Sequence, residues 1–294
     1  MAEIDKTADG SALRGVLFVT AAVFLFAAAD VLNKVLVTSH SVAFVLAGRY
    51  LVNLGLLVAI MAPRHGAALW QTNRTQWVVM RGVVLAAASL TMGYALQLMP
   101  VGETVAIIYL APFLVMLLSG PLLHERVHPA AWFGAVLAFS GVLLVLRPGG
   151  GLDPWGVGFA LMNAALSTAY HLMTRVLARS ETTMSMLFHV ALVGSVVFCV
   201  LAAQALPQTM PPLTDLAMIG GLGALATGGH FLFTIAYREA PPALLAPVNY
   251  THLVWAALLG WVVFDHVPQA LTLAGMGLIL VAGVVLAVRA GRAP

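Results

Sequence analysis

Few side chains in this 294-residue sequence can do chemistry, because charged residues are 9% of it and hydrophobic residues 61%. The ionisable groups set deepest in apolar runs are Asp30, His171 and His230. Groups at such depth normally face a wet cavity or a partner, and imidazole exchanges protons near neutral pH. These three are candidates for proton coupling. Around them lie Tyr94, Tyr109, Asn249, Tyr250, His252 and Trp255. With His171 and His230 they form a candidate binding set: rings hold a flat apolar body, and neutral donors and acceptors hold its polar end.

One motif points elsewhere. His124-Glu125-Arg126-Val127-His128 spells H-E-x-x-H, which on a helix puts two zinc-binding histidines on one face. Pro129 follows at once, so the histidines straddle a helix end instead of sharing a face. No metal is expected there, and an intramembrane metalloprotease is a distant alternative. No phosphate-binding glycine loop and no Ser-His-Asp order stands out, so neither enzyme chemistry nor a cofactor is expected.

The elements that must position these residues are transmembrane helices. A soluble domain carries about 25% charged residues, so 9% describes an integral membrane protein. Ten apolar runs are expected to span, at about 15–37, 42–62, 77–98, 102–123, 130–147, 155–178, 184–204, 214–237, 243–264 and 268–289, each near the roughly 20 residues a bilayer needs. Pro63, Pro100, Pro129, Pro207, Pro241-Pro242 and Pro268 punctuate the connections. Pro112 and Pro247 fall inside runs and, with Pro100 and Pro241, are candidate bending points. Only helices are plausible, since backbone groups in lipid must be satisfied within the segment. Residues 1–14 read as a polar cytoplasmic tail. The single Cys199 cannot form an intrachain disulfide.

The chain repeats itself. Shifted by about 141 positions, Ala95 meets Ala236, Pro100 meets Pro241 and Tyr109 meets Tyr250. Residues 15–147 and 155–289 thus read as two five-helix units. With the N-terminus cytoplasmic, eleven of the 14 Lys and Arg lie on or near the inside, leaving Lys34, Arg49 and Arg147 outside. Ten spans return the C-terminus to the cytoplasm. Five helices per unit make the second unit enter from the opposite face. Inverted repeats are a mark of alternating access, with the site at the repeat interface near mid-bilayer.

Helical spacing sorts the polar groups further. The sixth span shows Ala164, Ser167, Thr168, His171 and Thr174 as one stripe, and the eighth Thr227, His230, Phe231 and Thr234. On a continuous ninth helix Asn249, His252 and Ala256 share one face, and Tyr250 and Thr251 the next. Trp70, Trp77, Trp132, Trp155 and Trp261 sit at span ends, as an aromatic belt requires, whereas Trp255 is near a span centre. Gly134, Gly141, Gly275, Gly277 and Gly283 read as close-packing residues.

Gly48-Arg49-Tyr50, the Glu125 closing the fourth span, Gly134 to Gly141 with Val142, the run APVNYTHLVWAALLGWVVF and Gly283-Val284 carry a resemblance. The chain resembles the drug/metabolite transporter superfamily with two EamA-type repeats, and within it the bacterial aromatic amino-acid exporters. His189-Val190 stands where a second Arg49 would be. The resemblance implies an inner-membrane exporter of aromatic or hydrophobic amino acids, with lipid and a small molecule as partners and no nucleic acid. A broad exporter of cationic drugs is the alternative; it would need a deep unpaired carboxylate, for which Asp30 is the sole candidate.

Overall fold

The computed structural model describes residues 2–123, 129–146, 151–204, 211–240 and 242–290. The regular elements among them are helices: α1 (Ala2–Ser39), α2 (Val42–His65), a 3₁₀ turn (Gly66–Leu69), α3 (Thr75–Leu98), α4 (Val101–Ile108), α5 (Ala111–Leu123), α6 (Pro129–Leu146), α7 (Pro154–Leu177), α8 (Thr183–Ala203), α9 (Leu213–Glu239), α10 (Pro242–Asn249), α11 (Thr251–Phe264) and α12 (Ala270–Ala290). The H-E-x-x-H motif and Arg147 lie outside the described residues.

Side chains start several of these helices by accepting otherwise orphaned backbone N–H groups. Ser41 accepts from Phe44, Thr182 from Ser185, and Asp153 from Trp155 and Gly156 with Pro154 leading the first turn. The first helix begins at Ala2, not near 15. No proline interrupts residues 2–14, so the polar tail continues the helix while its apolar stretch starts at Leu13.

Among the described residues, seven stretches are long and apolar enough to cross a bilayer: Leu13–Ser39, Val42–Arg64, Thr75–Leu98, Val101–Leu122, Thr183–Ala203, Leu213–Glu239 and Pro247–Phe264. Trp132–Leu146 and Ala270–Leu286 are shorter apolar helices. The 24-residue α7 has the length, but its Asn163, Ser167, Thr168, Tyr170, His171 and Thr174 make it more polar.

Two expected spans are not continuous, and this is the main departure from the sequence reading. The run 102–123 is broken at Tyr109-Leu110, between α4 and α5. Pro112 lacks an N–H and its ring excludes the carbonyl four residues back, that of Ile108, where α4 ends. The run 243–264 is broken at Tyr250, between α10 and α11. There Tyr250 N–H donates to the Pro247 carbonyl at 3.2 Å and Leu253 N–H to the Tyr250 carbonyl at 3.1 Å, a tight turn in place of the α-helical ladder.

The backbone groups into two compact units. One comprises Met1–Val31, Pro100–Gly150 and Gly228–Pro294; the other comprises Leu32–Met99 and Gly151–Thr227. Each unit draws on both halves of the sequence. In the first, α6 packs along α12 and α4 along α11. A Cβ on Gly141 would lie 2.6 Å from the Gly275 carbonyl oxygen, so only glycine permits that approach of α6 to α12.

In the second unit α3 packs on α7 and α8, and α2 on α8. Charge brackets α3 at both ends. Glu181 accepts from Asn73 N–H at 3.0 Å and Arg74 N–H at 2.7 Å, where the helix starts. Lys34 Nζ donates to the Leu96 and Met99 carbonyls, both at 2.7 Å, where it ends. An anion at the N-terminus and a cation at the C-terminus oppose the helix dipole and satisfy its orphan groups. Lys34 is therefore engaged with a helix end.

Candidate functional site

The two helix breaks define the site. In the first unit, Tyr109 caps the end of α4 and Tyr250 stands at the start of α11. Their rings lie 5.4 Å apart, and the Tyr109 hydroxyl donates to the Asn249 carbonyl at 2.8 Å. That carbonyl is the last of α10, so one break is held shut by the tyrosine of the other. Asn249 Nδ2 in turn donates to the Tyr237 hydroxyl of α9 at 3.0 Å.

The same corner holds a charge on α1. His252, in the first turn of α11, sets Nε2 3.2 Å from Asp30 Oδ2 of α1. Both side chains are largely buried. The first turn of a helix also favours an anion, because the peptide dipoles point their positive end there. The Tyr109 ring lies 5.7 Å from the His252 ring. One turn further along α11, Trp255 meets Phe24 edge-on with centroids 5.2 Å apart. It packs against the core of Val19, Val23, Ala236, Ala240 and Leu245. Trp70, Trp77, Trp132, Trp155 and Trp261 are instead 49% to 76% exposed.

The structure thus brings together Asp30, Tyr109, Asn249, Tyr250 and His252, with Trp255 beside them. Tyr250 and His252 both meet Tyr109, although a continuous helix would have turned them to different faces; the turn at Tyr250 realigns them. His230 is exposed on α9, its ring 4.9 Å from that of Phe26 one turn before Asp30. Tyr94 and His171 belong to the second unit. Tyr94 stacks on Phe159 at 5.1 Å, and His171 is exposed on α7 with its ring 5.4 Å from that of Tyr170.

Sequence reasoning missed two groups. Tyr237 joins the first cluster; the spacing His230, Phe233, Tyr237 along α9 is a helical stripe that would have marked it. By sequence Arg81 reads only as a cytoplasmic-side charge, yet it is 3% exposed. Its Nε donates to Thr174 Oγ1 at 2.7 Å, Nη2 to the Tyr170 hydroxyl at 2.6 Å, and Nη1 to the Met186 carbonyl at 3.2 Å. The guanidinium also lies over the Tyr170 ring, 4.3 Å from its centroid. Tyr170 and Thr174, four residues apart on α7, were the available signal.

Apolar helices long enough to cross a bilayer, two of the runs broken at tyrosines, describe a multi-pass membrane protein. The family model for EamA-like transporters matches residues 13–147 and again 154–289, and the chain belongs to that family of membrane transporters. A riboflavin transporter of Rhizobium johnstonii is 28% identical over 218 residues, covering 74% of this chain and 72% of that protein. A pseudopaline exporter of Pseudomonas aeruginosa is 25% identical over 276 residues, covering 92% and 95%. An S-adenosylmethionine uptake transporter of Rickettsia bellii is 27% identical over 218 residues, covering 74% of each. A solved crystal structure covers 98% of both chains with a TM-score of 0.65 at 20% identity, which speaks to the fold alone. None of these three relatives is named for aromatic amino acids.

Proposed function

We propose that the chain exports a small metabolite with a flat aromatic body and an amino-acid-like polar end, aromatic amino acids first among them. The carrier works by alternating access between two inverted five-helix repeats that make ten spans of an inner membrane, with both termini cytoplasmic. The two stretches matched by the family model support the repeat, and the paired breaks at Tyr109 and Tyr250 support the site. Broken helices in corresponding positions of two halves are the best pointer to a transporter's binding site.

The observation that carries the substrate class is the lining of the break. Tyr109, Tyr237, Tyr250 and Trp255 offer ring faces and edges, and Asn249 and His252 offer neutral polar atoms. Riboflavin and S-adenosylmethionine, which the relatives' names carry, each have a flat heteroaromatic ring, and the latter adds an amino-acid end. Both therefore belong in the test. The cation-exporter reading loses its main support, since Asp30 faces His252 at 3.2 Å and is not a lone carboxylate.

Counterflow in proteoliposomes tests the assignment, with labelled tryptophan, phenylalanine, threonine, riboflavin, S-adenosylmethionine and a viologen. The expected result is exchange of tryptophan and phenylalanine, and neither threonine nor the viologen. Exchange of riboflavin or S-adenosylmethionine alone would replace the amino-acid assignment and leave the carrier standing.

A further inference from the structure

Two buried polar atoms at the α10–α11 break have no hydrogen-bond partner: Asn249 Oδ1 and His252 Nε2. Burying such atoms unpaired is costly, so each asks for an explanation. They are three residues apart and flank the turn at Tyr250. His252 Nε2 faces Asp30 Oδ2 at ion-pair distance but out of line for a hydrogen bond. Tyr109, at the end of α4, lies beside both Asp30 and His252, while Tyr250 meets Tyr109 and Tyr237 meets Asn249.

We propose that Asp30 and His252 bind the coupling proton of the carrier, and that Asn249 Oδ1 receives the ammonium group of its substrate. This rests on the carrier reading above and names the ion and the polar end it takes. In the empty carrier the His252 imidazolium opposes the Asp30 carboxylate, and the corner is neutral. An arriving ammonium donates an N–H to Asn249 Oδ1. Two cations beside one carboxylate are unfavourable where the dielectric is low. The proton on His252 Nε2 therefore passes to water, and the corner is neutral again with the ammonium in place of the proton. After release on the far side, His252 takes a proton from the water there. One proton enters for each substrate that leaves, and no electrons change hands.

The test separates exchange from coupling in proteoliposomes carrying the wild type, Asp30→Asn or His252→Gln. In the wild type an imposed pH gradient should drive uphill accumulation of whichever labelled compound shows counterflow. Both variants should lose that accumulation roughly tenfold or more relative to whatever counterflow each retains, as expected for a removed coupling. Gradient-driven accumulation that survives in both variants overturns the proposal, as does a wild type that exchanges but ignores the gradient; in either case the carrier reading stands. Absence of counterflow for every compound strikes the substrate reading instead. A substrate-free arm then decides the pair: the ring signals of the nine histidines are followed by NMR against pH, and His252 is assigned by its loss in His252→Gln. Asp30→Asn should change how that signal responds to pH. A pH response unchanged by Asp30→Asn overturns the pair whatever the substrate is.

Discussion

Tyr109 does two jobs with one side chain: its ring lies against Tyr250 and His252, and its hydroxyl holds the carbonyl at the end of α10. Tyr109→Phe keeps the ring and removes the bond. A neutral hydrogen bond contributes about 1 kcal/mol, so the melting temperature should fall modestly, and counterflow affinity, which depends on the break that bond holds, should fall about fivefold. Trp255→Ala should weaken transport by up to roughly tenfold, since an aromatic contact contributes about 0.5–1.5 kcal/mol beyond its area. Trp132→Ala should barely change it, because Trp132 is exposed; equal effects would make Trp255 packing alone. Most of these residues were legible in the sequence because a polar group inside an apolar run stands out. Their pairing was not. Asp30 and His252 are far apart in sequence, and only the fold brings α1 against the first turn of α11.

At the scale of elements, the apolar runs and their proline punctuation gave most helix ends to within a few residues, the start of α1 excepted. The breaks escaped because hydropathy is blind to them: the runs 102–123 and 243–264 stay apolar across Tyr109 and Tyr250. Pro112 and Pro247 carried the signal, and they read as bends when they mark interruptions. Helix ends supply a separate prediction. Glu181→Ala removes the acceptor for Asn73 and Arg74 at the start of α3 and should destabilise the protein by about 1–2 kcal/mol, seen as a lower melting temperature in detergent. Counterflow measured well below that temperature should be unchanged. Gly283 packs on the Tyr250 ring so closely that a Cβ would collide with it. Gly283→Ala must therefore displace the ring that lines the break, and should slow counterflow more than it lowers the melting temperature. The reverse order would assign Gly283 to packing only.

At the scale of the whole molecule, composition alone announced a membrane protein, and the internal repeat announced two related halves. The compact units cut across those halves, each collecting helices from both, which no linear reading of sequence shows. The proposed threading puts residues 64 and 179, both exposed, on the cytoplasmic side. With Cys199→Ser as background, Arg64→Cys and Arg179→Cys should resist a membrane-impermeant thiol reagent in intact cells and react once the membrane is opened. Labelling of either in sealed cells would reverse the threading.

The central claim is that substrate is held at the paired breaks. Counterflow of labelled tryptophan by wild type and by Asn249→Ala tests it most directly, with the melting temperature followed in parallel. Asn249 bridges the two breaks through its carbonyl and reaches Tyr237 through its amide. The account predicts exchange by the wild type and a loss of about tenfold in the variant at a nearly unchanged melting temperature. Exchange by a folded Asn249→Ala protein as fast as by the wild type would contradict it.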